Sequence, residues 1–242
     1  MEELYTDQYD VQIMEKSPHL RAKSFPQLLP FIGKYWEESK LKILFLGESH
    51  YIPANELNSN EKYINSWYDQ SSEKFGPNHS NRINTRYVIT RADSHNTSKA
   101  ITNKEETIKP LSIYLNIKKE LKSLRKDLFA SQEHIFPFLA MYNYFQRPAF
   151  EEGKSIINNE KDNTVAFETL QSVVEIIKPK LIIFASRKAF AAFKTSNRNK
   201  AIIDSNIVKN IPHPGSVWWN RKASIYGDKT GKEHFINIIQ SI

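Results

Sequence analysis

The chain has 242 residues, of which 40% are hydrophobic and 12% aromatic, enough to bury a core, and this argues against wholesale disorder. Lys and Arg number 34 against 27 Asp and Glu, and the resulting formal charge of +7 favours an anionic partner, nucleic acid first. The absence of cysteine excludes disulfides, thiolate nucleophiles, cysteine zinc sites and cysteine-ligated iron–sulfur clusters.

The opening stretch, MEELYTDQYDVQIMEK, is acidic and mixed, so no signal peptide is expected. The longest apolar runs fall well short of the roughly 20 residues a membrane-spanning helix needs. A soluble, cytoplasmic, monomeric protein that leaves the membrane alone is expected, folded as one domain over residues 1–242. In chain order, Phe25–Ser39 reads as a helix and Leu41–Leu46 (LKILFL) as a buried strand. Apolar residues at Leu111, Ile113, Tyr114, Ile117 and Leu121 predict a helix over Leu111–Leu128. Phe138–Tyr142 (FLAMY) reads as a second strand. The clearest helical pattern is Thr164–Ile177, which Pro179 ends before a third strand at Leu181–Ala185 (LIIFA). A helix over Lys188–Phe193, a weaker strand at Ile207–Ile211 and a helix over Lys232–Ile239 follow. Strands alternating with helices predict an α/β fold: three α/β/α layers around a central four-stranded, mostly parallel sheet.

Ligands of such sheets bind outside the carboxyl ends of the strands, so the residues following each strand carry the functional argument. The first strand is followed by Gly47, Glu48, Ser49, His50 and Tyr51, and the second by Asn143, Tyr144, Phe145, Gln146, Arg147 and Pro148. SRKAF follows the third, and His213, Pro214, Gly215, Ser216, Val217, Trp218 and Trp219 follow the fourth. A carboxylate, an amide and an imidazole at three strand ends are the groups needed to read a planar heterocycle and to stabilise charge during bond cleavage. Each also has an ordinary reading. Glu48 after a glycine turn is solvated, Asn143 is a turn residue, His213 sits in a rigid proline loop, and the VWW run is core.

Four segments, taken in order, resemble the uracil-DNA glycosylase superfamily. LFLGESHY is similar to its first motif, G-Q-D-P-Y-H in one branch and G-E-x-P-G in the iron–sulfur branch. LAMYNYFQRP resembles a strand ending in Asn and followed by Arg-Pro; IIKPKLIIFASRKAF resembles the helix–Pro–strand–turn segment; IPHPGSVWW resembles the H-P-S loop. The resemblance implies a DNA glycosylase of the same fold, acting on uracil or a related deaminated base without metal or cofactor. It implies that Glu48 activates water or stabilises the sugar cation, and that His213 stabilises charge on the base. Gly47, Ser49, Tyr51 and Asn143 would line the base site, with Asn143 reading the uracil edge. Ser216 would contact phosphate, and the loop at Val217 and Trp218 would enter the base stack. His50 stands where the motif has proline, and the iron–sulfur ligands are absent. No segment of 52–110 is matched, which leaves Trp67, Tyr68 and Phe75 as candidates for stacking on the base. Arg82, Arg86 and Arg91 are candidate phosphate contacts, with a solvated helix face as the alternative.

Extruding a nucleotide costs a few kcal/mol, and apolar residues at Val217–Trp219 would fill the gap it leaves. Two other readings stay open. One is a non-catalytic nucleic-acid-binding protein of the same fold. The other is a serine hydrolase in which GES presents Ser49; such enzymes need a late Asp-x-x-His pair, whereas DKTGKEH is spaced more widely and NIPH has no Asp.

Overall fold

The computed structural model describes residues 4–17, 28–51, 67–69, 83–94, 111–129, 132–149, 154–200 and 202–242. Four parallel strands form the centre of the sheet: β2 (Ile43–Gly47), β3 (Ala140–Asn143), β4 (Leu181–Phe184) and β5 (Val208–Asn210). A short β1 (Phe31–Ile32) pairs antiparallel with β3, so the sheet is mixed and five-stranded, in the order β1-β3-β2-β4-β5. The four-stranded expectation is corrected by that edge strand. β6 (Lys222–Ala223) and β7 (Lys229–Thr230) form a separate antiparallel ribbon.

Seven α-helices are described: α1 (Asp10–Lys16), α2 (Thr85–Ser94), α3 (Ser112–Leu124), α4 (Lys126–Phe129), α5 (Glu160–Ile177), α6 (Arg187–Lys200) and α7 (Gly231–Gln240). Alternating strand residues divide them between two faces. Leu44, Leu46, Tyr142, Ile182 and Phe184 pack with Ile13 of α1, with Phe167, Leu170 and Val173 of α5, and with Phe193 of α6. Ile43, Phe45, Met141 and Ile183 pack with Ile89 of α2, Ile117 and Leu121 of α3, Phe129 of α4 and Phe235 of α7. Helices on both faces of the sheet make three α/β/α layers.

The helix expected over Phe25–Ser39 does not form in its described part, 28–39. Pro30 lacks an amide donor, and Gly33 lies so close to the backbone of Pro137 that a Cβ there would sit 2.2 Å from the Pro137 carbonyl oxygen. Its apolar residues Leu28, Leu29, Phe31, Ile32 and Trp36 are buried all the same, through an edge strand and turns. The helix expected over Leu111–Leu128 divides at Arg125 into α3 and α4. Thr164–Ile177 lies within α5, whose start is fixed by a capping box between Asn159 and Asp162. That helix stops as its pattern predicts: Lys178 takes a left-handed φ of 48°, immediately before Pro179.

The chain order creates a crevice. From β2 the chain passes through α2, α3 and α4, on the second face, to β3; from β4 it passes through α6, on the first face, to β5. β2 and β4 are neighbours whose onward connections leave in opposite directions. This is the switch point at which open α/β sheets bind ligands.

Candidate functional site

Glu48 and Ser186 follow the two switch-point strands. The Ser186 hydroxyl donates to Glu48 Oε2 at 2.6 Å, and the backbone N–H of Ile156 donates to Oε1 at 3.2 Å. Ser186 is also the N-cap of α6, its Oγ accepting from the Ala189 N–H at 3.2 Å. The carboxylate is thereby fixed to β4, to α6 and to the segment that leads into α5. Carboxylate oxygens have about four lone-pair sites between them, so acceptor capacity remains on Glu48 for a ligand.

Gly47 and Asn143 are partners across the β2–β3 ladder. A Cβ on Gly47 would lie 2.1 Å from Asn143 Oδ1, so the glycine makes room for the Asn143 amide to lie against the strand. Gly47 is the last residue of β2, and its backbone does not take a positive φ. Past the strand ends the two chains stay in step. Tyr144 and Phe145 N–H donate to the Gly47 and Glu48 carbonyls at 3.1 and 2.9 Å, and Ala149 N–H donates to the His50 carbonyl at 2.7 Å. The buried His50 ring meets Thr85 Oγ1 of α2 at 3.0 Å. Tertiary hydrogen bonds thus pin the loop where the motif carries a proline. Ser49 is half-buried. Tyr51 bridges to Ala149 and packs against the first core cluster.

His213 enters from beyond β5. The Gly215 N–H donates to its Nδ1 at 3.0 Å, which places the proton of the neutral ring on Nε2. Packing around the ring lowers its pKa from the ordinary histidine value, and the Glu48 carboxylate pulls in the opposite direction. The neutral Nε2–H form is therefore favoured, on an imidazole whose residue stays open to solvent. Its loop is anchored to α3, where Asn116 Nδ2 donates to the Pro214 carbonyl at 2.8 Å.

Gly47, Glu48, Asn143 and His213 thus end or follow β2, β3 and β5 at the same carboxyl edge of the sheet, with β4 between β2 and β5. The remaining candidates differ in their surroundings. The Ser216 hydroxyl is buried and has no hydrogen-bond partner among the described residues. Val217 and Trp218 are 57% and 50% exposed, whereas Trp219 is core, packed on Phe235. Trp67 is fully buried and offers no open ring face. Tyr68 donates to Asp162 at 2.8 Å. Arg86 is held by both carboxylate oxygens of Asp10 and by the Pro30 carbonyl, so it supports the fold and is not a free phosphate contact. Arg91 is half-buried on α2. Arg82 and Phe75 lie outside the described residues. Arg147, of the Arg-Pro pair, is 1% exposed and bonds Asp162 through Nε at 3.0 Å and Nη2 at 2.6 Å, a purely structural bridge.

Ser186 and the Ile156 amide were missed in sequence. A serine just after a strand and just before a helical run is an N-cap signal that would have located Ser186; a backbone donor such as Ile156 N–H has no sequence signature. Beneath Gly47 a cavity of about 10 Å³, walled by Phe45, Ile117, Met141 and Tyr142, has room for about one water. Among the described residues no group of three or more His, Asp or Glu is arranged to hold a metal ion, and no helix is long and apolar enough to cross a membrane. No family model and no curated protein matches the chain.

Proposed function

We propose that the protein is a DNA N-glycosidase that excises uracil or a related deaminated base. One observation carries this reading: a carboxylate anchored by Ser186 and Ile156 stands at the switch point with a neutral, Nε2-protonated His213 and the Asn143 amide. As the C1′–N bond breaks, its electron pair leaves with the base and positive charge develops on the sugar. Glu48 stabilises that cation, and the His213 Nε2–H stabilises the anion on the base carbonyl. Water adds to C1′, and its proton ends on the departing base. The Asn143 amide donates to one base carbonyl and accepts from the ring N–H, a pattern that cytosine reverses.

Arrangement of the imidazole disfavours a serine hydrolase. His213 Nδ1 accepts from its own loop, whereas a triad histidine donates from that nitrogen to a carboxylate. A non-catalytic nucleic-acid-binding protein is favoured by one observation, the small size of the cavity beneath Gly47.

Single-turnover assays on labelled oligonucleotides carrying uracil or hypoxanthine, with alkaline scission of abasic sites, separate these readings. Glu48→Gln keeps an acceptor for the Ile156 N–H but loses the charge. It should slow excision by one to three orders of magnitude, roughly 1.4–4 kcal/mol of barrier. Wild-type protein that releases no base from any such substrate leaves only the binding reading.

A further inference from the structure

A second cavity, of about 250 Å³, opens beside the site between the start of α6 and the β6–β7 ribbon, lined by Arg187, Pro212, Trp218, Ala223, Ile225 and Tyr226. Arg187 directly follows Ser186, the partner of Glu48, and Pro212 directly precedes His213. The cavity therefore adjoins the catalytic crevice on two strand ends at once.

Its chemistry is specific. Trp218, Pro212, Ile225 and Tyr226 supply flat or apolar walls, and Trp218 is 50% exposed, with ring surface available to stack. Arg187 is exposed and has no ion-pair partner among the described residues. Tyr226 is 7% exposed, and its hydroxyl has no hydrogen-bond partner among the described residues. A buried unpaired hydroxyl is costly, and a ligand that pairs with it relieves that cost. The segment that carries the ribbon adds exposed Arg221, Lys222 and Lys229, with Asp228 in the same segment and Glu233 of α7 close enough to feel the charge of Lys222 and Lys229. Aromatic stacking surface beside unpaired cations is the composition of a single-strand nucleic-acid site.

We propose that this cavity binds the base of an unpaired nucleotide adjoining the target, its phosphate held by Arg187 and the basic ribbon. The inference rests on the DNA reading above and sharpens it: the substrate is single-stranded or locally opened DNA, because a base seated here has left its duplex stack. Trp218 is then a stacking platform for a neighbouring base as well as the tip of the loop.

The test uses uracil-free DNA, so it does not depend on catalysis. Trp36, Trp67 and Trp219 are at most 2% exposed, which makes Trp218 the tryptophan whose fluorescence a bound base will quench most. Wild-type protein titrated with a short oligo-dT strand should show saturable quenching, about tenfold tighter than with a blunt duplex of the same length. Ala223→Phe, which fills the cavity, and Arg187→Gln should each weaken single-strand binding about tenfold; Tyr226→Phe, which adds no bulk, should weaken it several-fold. If all three variants bind like wild type, or duplex and single strand bind equally, the inference is overturned. Excision measured in parallel on uracil-containing strands keeps the two claims apart. Cavity-sensitive binding without excision defeats only the enzymatic reading, and excision with cavity-insensitive binding defeats only this one.

Discussion

Replacing Gly47 with alanine tests whether the strand-end glycine serves the fold or the Asn143 amide. The new Cβ would lie 2.1 Å from Asn143 Oδ1, and ordinary contact begins near 3.4 Å, so the amide must retreat by about 1.3 Å. The atom it meets ends a flexible side chain, and Gly47 needs no left-handed backbone. Alanine also regains about 0.5–1 kcal/mol of the conformational entropy that glycine loses within a strand. Stability should therefore change by no more than about 1 kcal/mol, a shift in Tm of roughly 2–4 °C for a chain of this size. Function should respond far more strongly. A misplacement of about 1 Å in a positioning group costs on the order of 100-fold in rate, or about 2.7 kcal/mol. Excision kcat/KM measured for Gly47→Ala, Asn143→Ala and the double variant forms a cycle. Once Asn143 is already alanine, Gly47→Ala should have almost no further effect. Losses that simply add would refute the argument, and so would a single Gly47→Ala variant with wild-type kcat/KM.

His213 has a pKa below that of an unfolded histidine, so the folded state resists its protonation. Its stabilising contribution is complete above the unfolded value of about 6.5 and is lost as pH falls from there through the folded pKa. Denaturant titrations across that window should show a slope that His213→Gln partly removes, with His234, lowered by burial, supplying a remainder. Arg147→Met would leave Asp162 buried and unpaired, and should cost about 3–5 kcal/mol in denaturant unfolding. Arg86→Ala should cost about 1.5–3 kcal/mol of stability through its bonds to Asp10, yet leave the salt dependence of DNA binding unchanged; a flatter salt slope would return Arg86 to the phosphate contacts.

β2, β3 and β4 were legible because their apolar residues are buried on both faces and read as continuous runs, whereas β5, with Lys209 exposed between Val208 and Asn210, was the weaker signal. Thr164–Ile177 was legible because its 3.6-residue period is long and ends at Pro179. What failed was short or irregular. β1 has two residues inside a segment whose apolar spacing imitates a helix, and only the donor missing at Pro30 and the tight approach at Gly33 argue otherwise. The β6 and β7 strands are two residues each and carry no periodicity. Arg86 and Arg147 show why charge alone does not assign a role. Both belong to an excess of basic residues that favours an anionic partner, and both are engaged by carboxylates of other elements, Asp10 in α1 and Asp162 in α5.

The site was legible to the extent that topology dictates it. Knowing where the strands end places Glu48, Asn143 and His213 on one edge, whatever the intervening segments do. How each group is held was not legible, and this bears on the motif departures. His50 and Ser49 replace residues that would stiffen and charge the first loop, and on sequence alone that weakens a catalytic reading. In the structure the fixing forces come from outside the motif. Ser186 and the Ile156 N–H hold the Glu48 carboxylate, Thr85 meets the His50 ring, and the Ala149 N–H holds the His50 carbonyl. Rigidity that a proline would supply locally is supplied by tertiary hydrogen bonds from α2, from the loop after β3, from the segment before α5 and from the N-cap of α6. A motif departure therefore says little about this site until the partners of the substituted residue are known; what bears on the proposed catalysis is the acceptor capacity left on Glu48 and the proton carried by His213 Nε2.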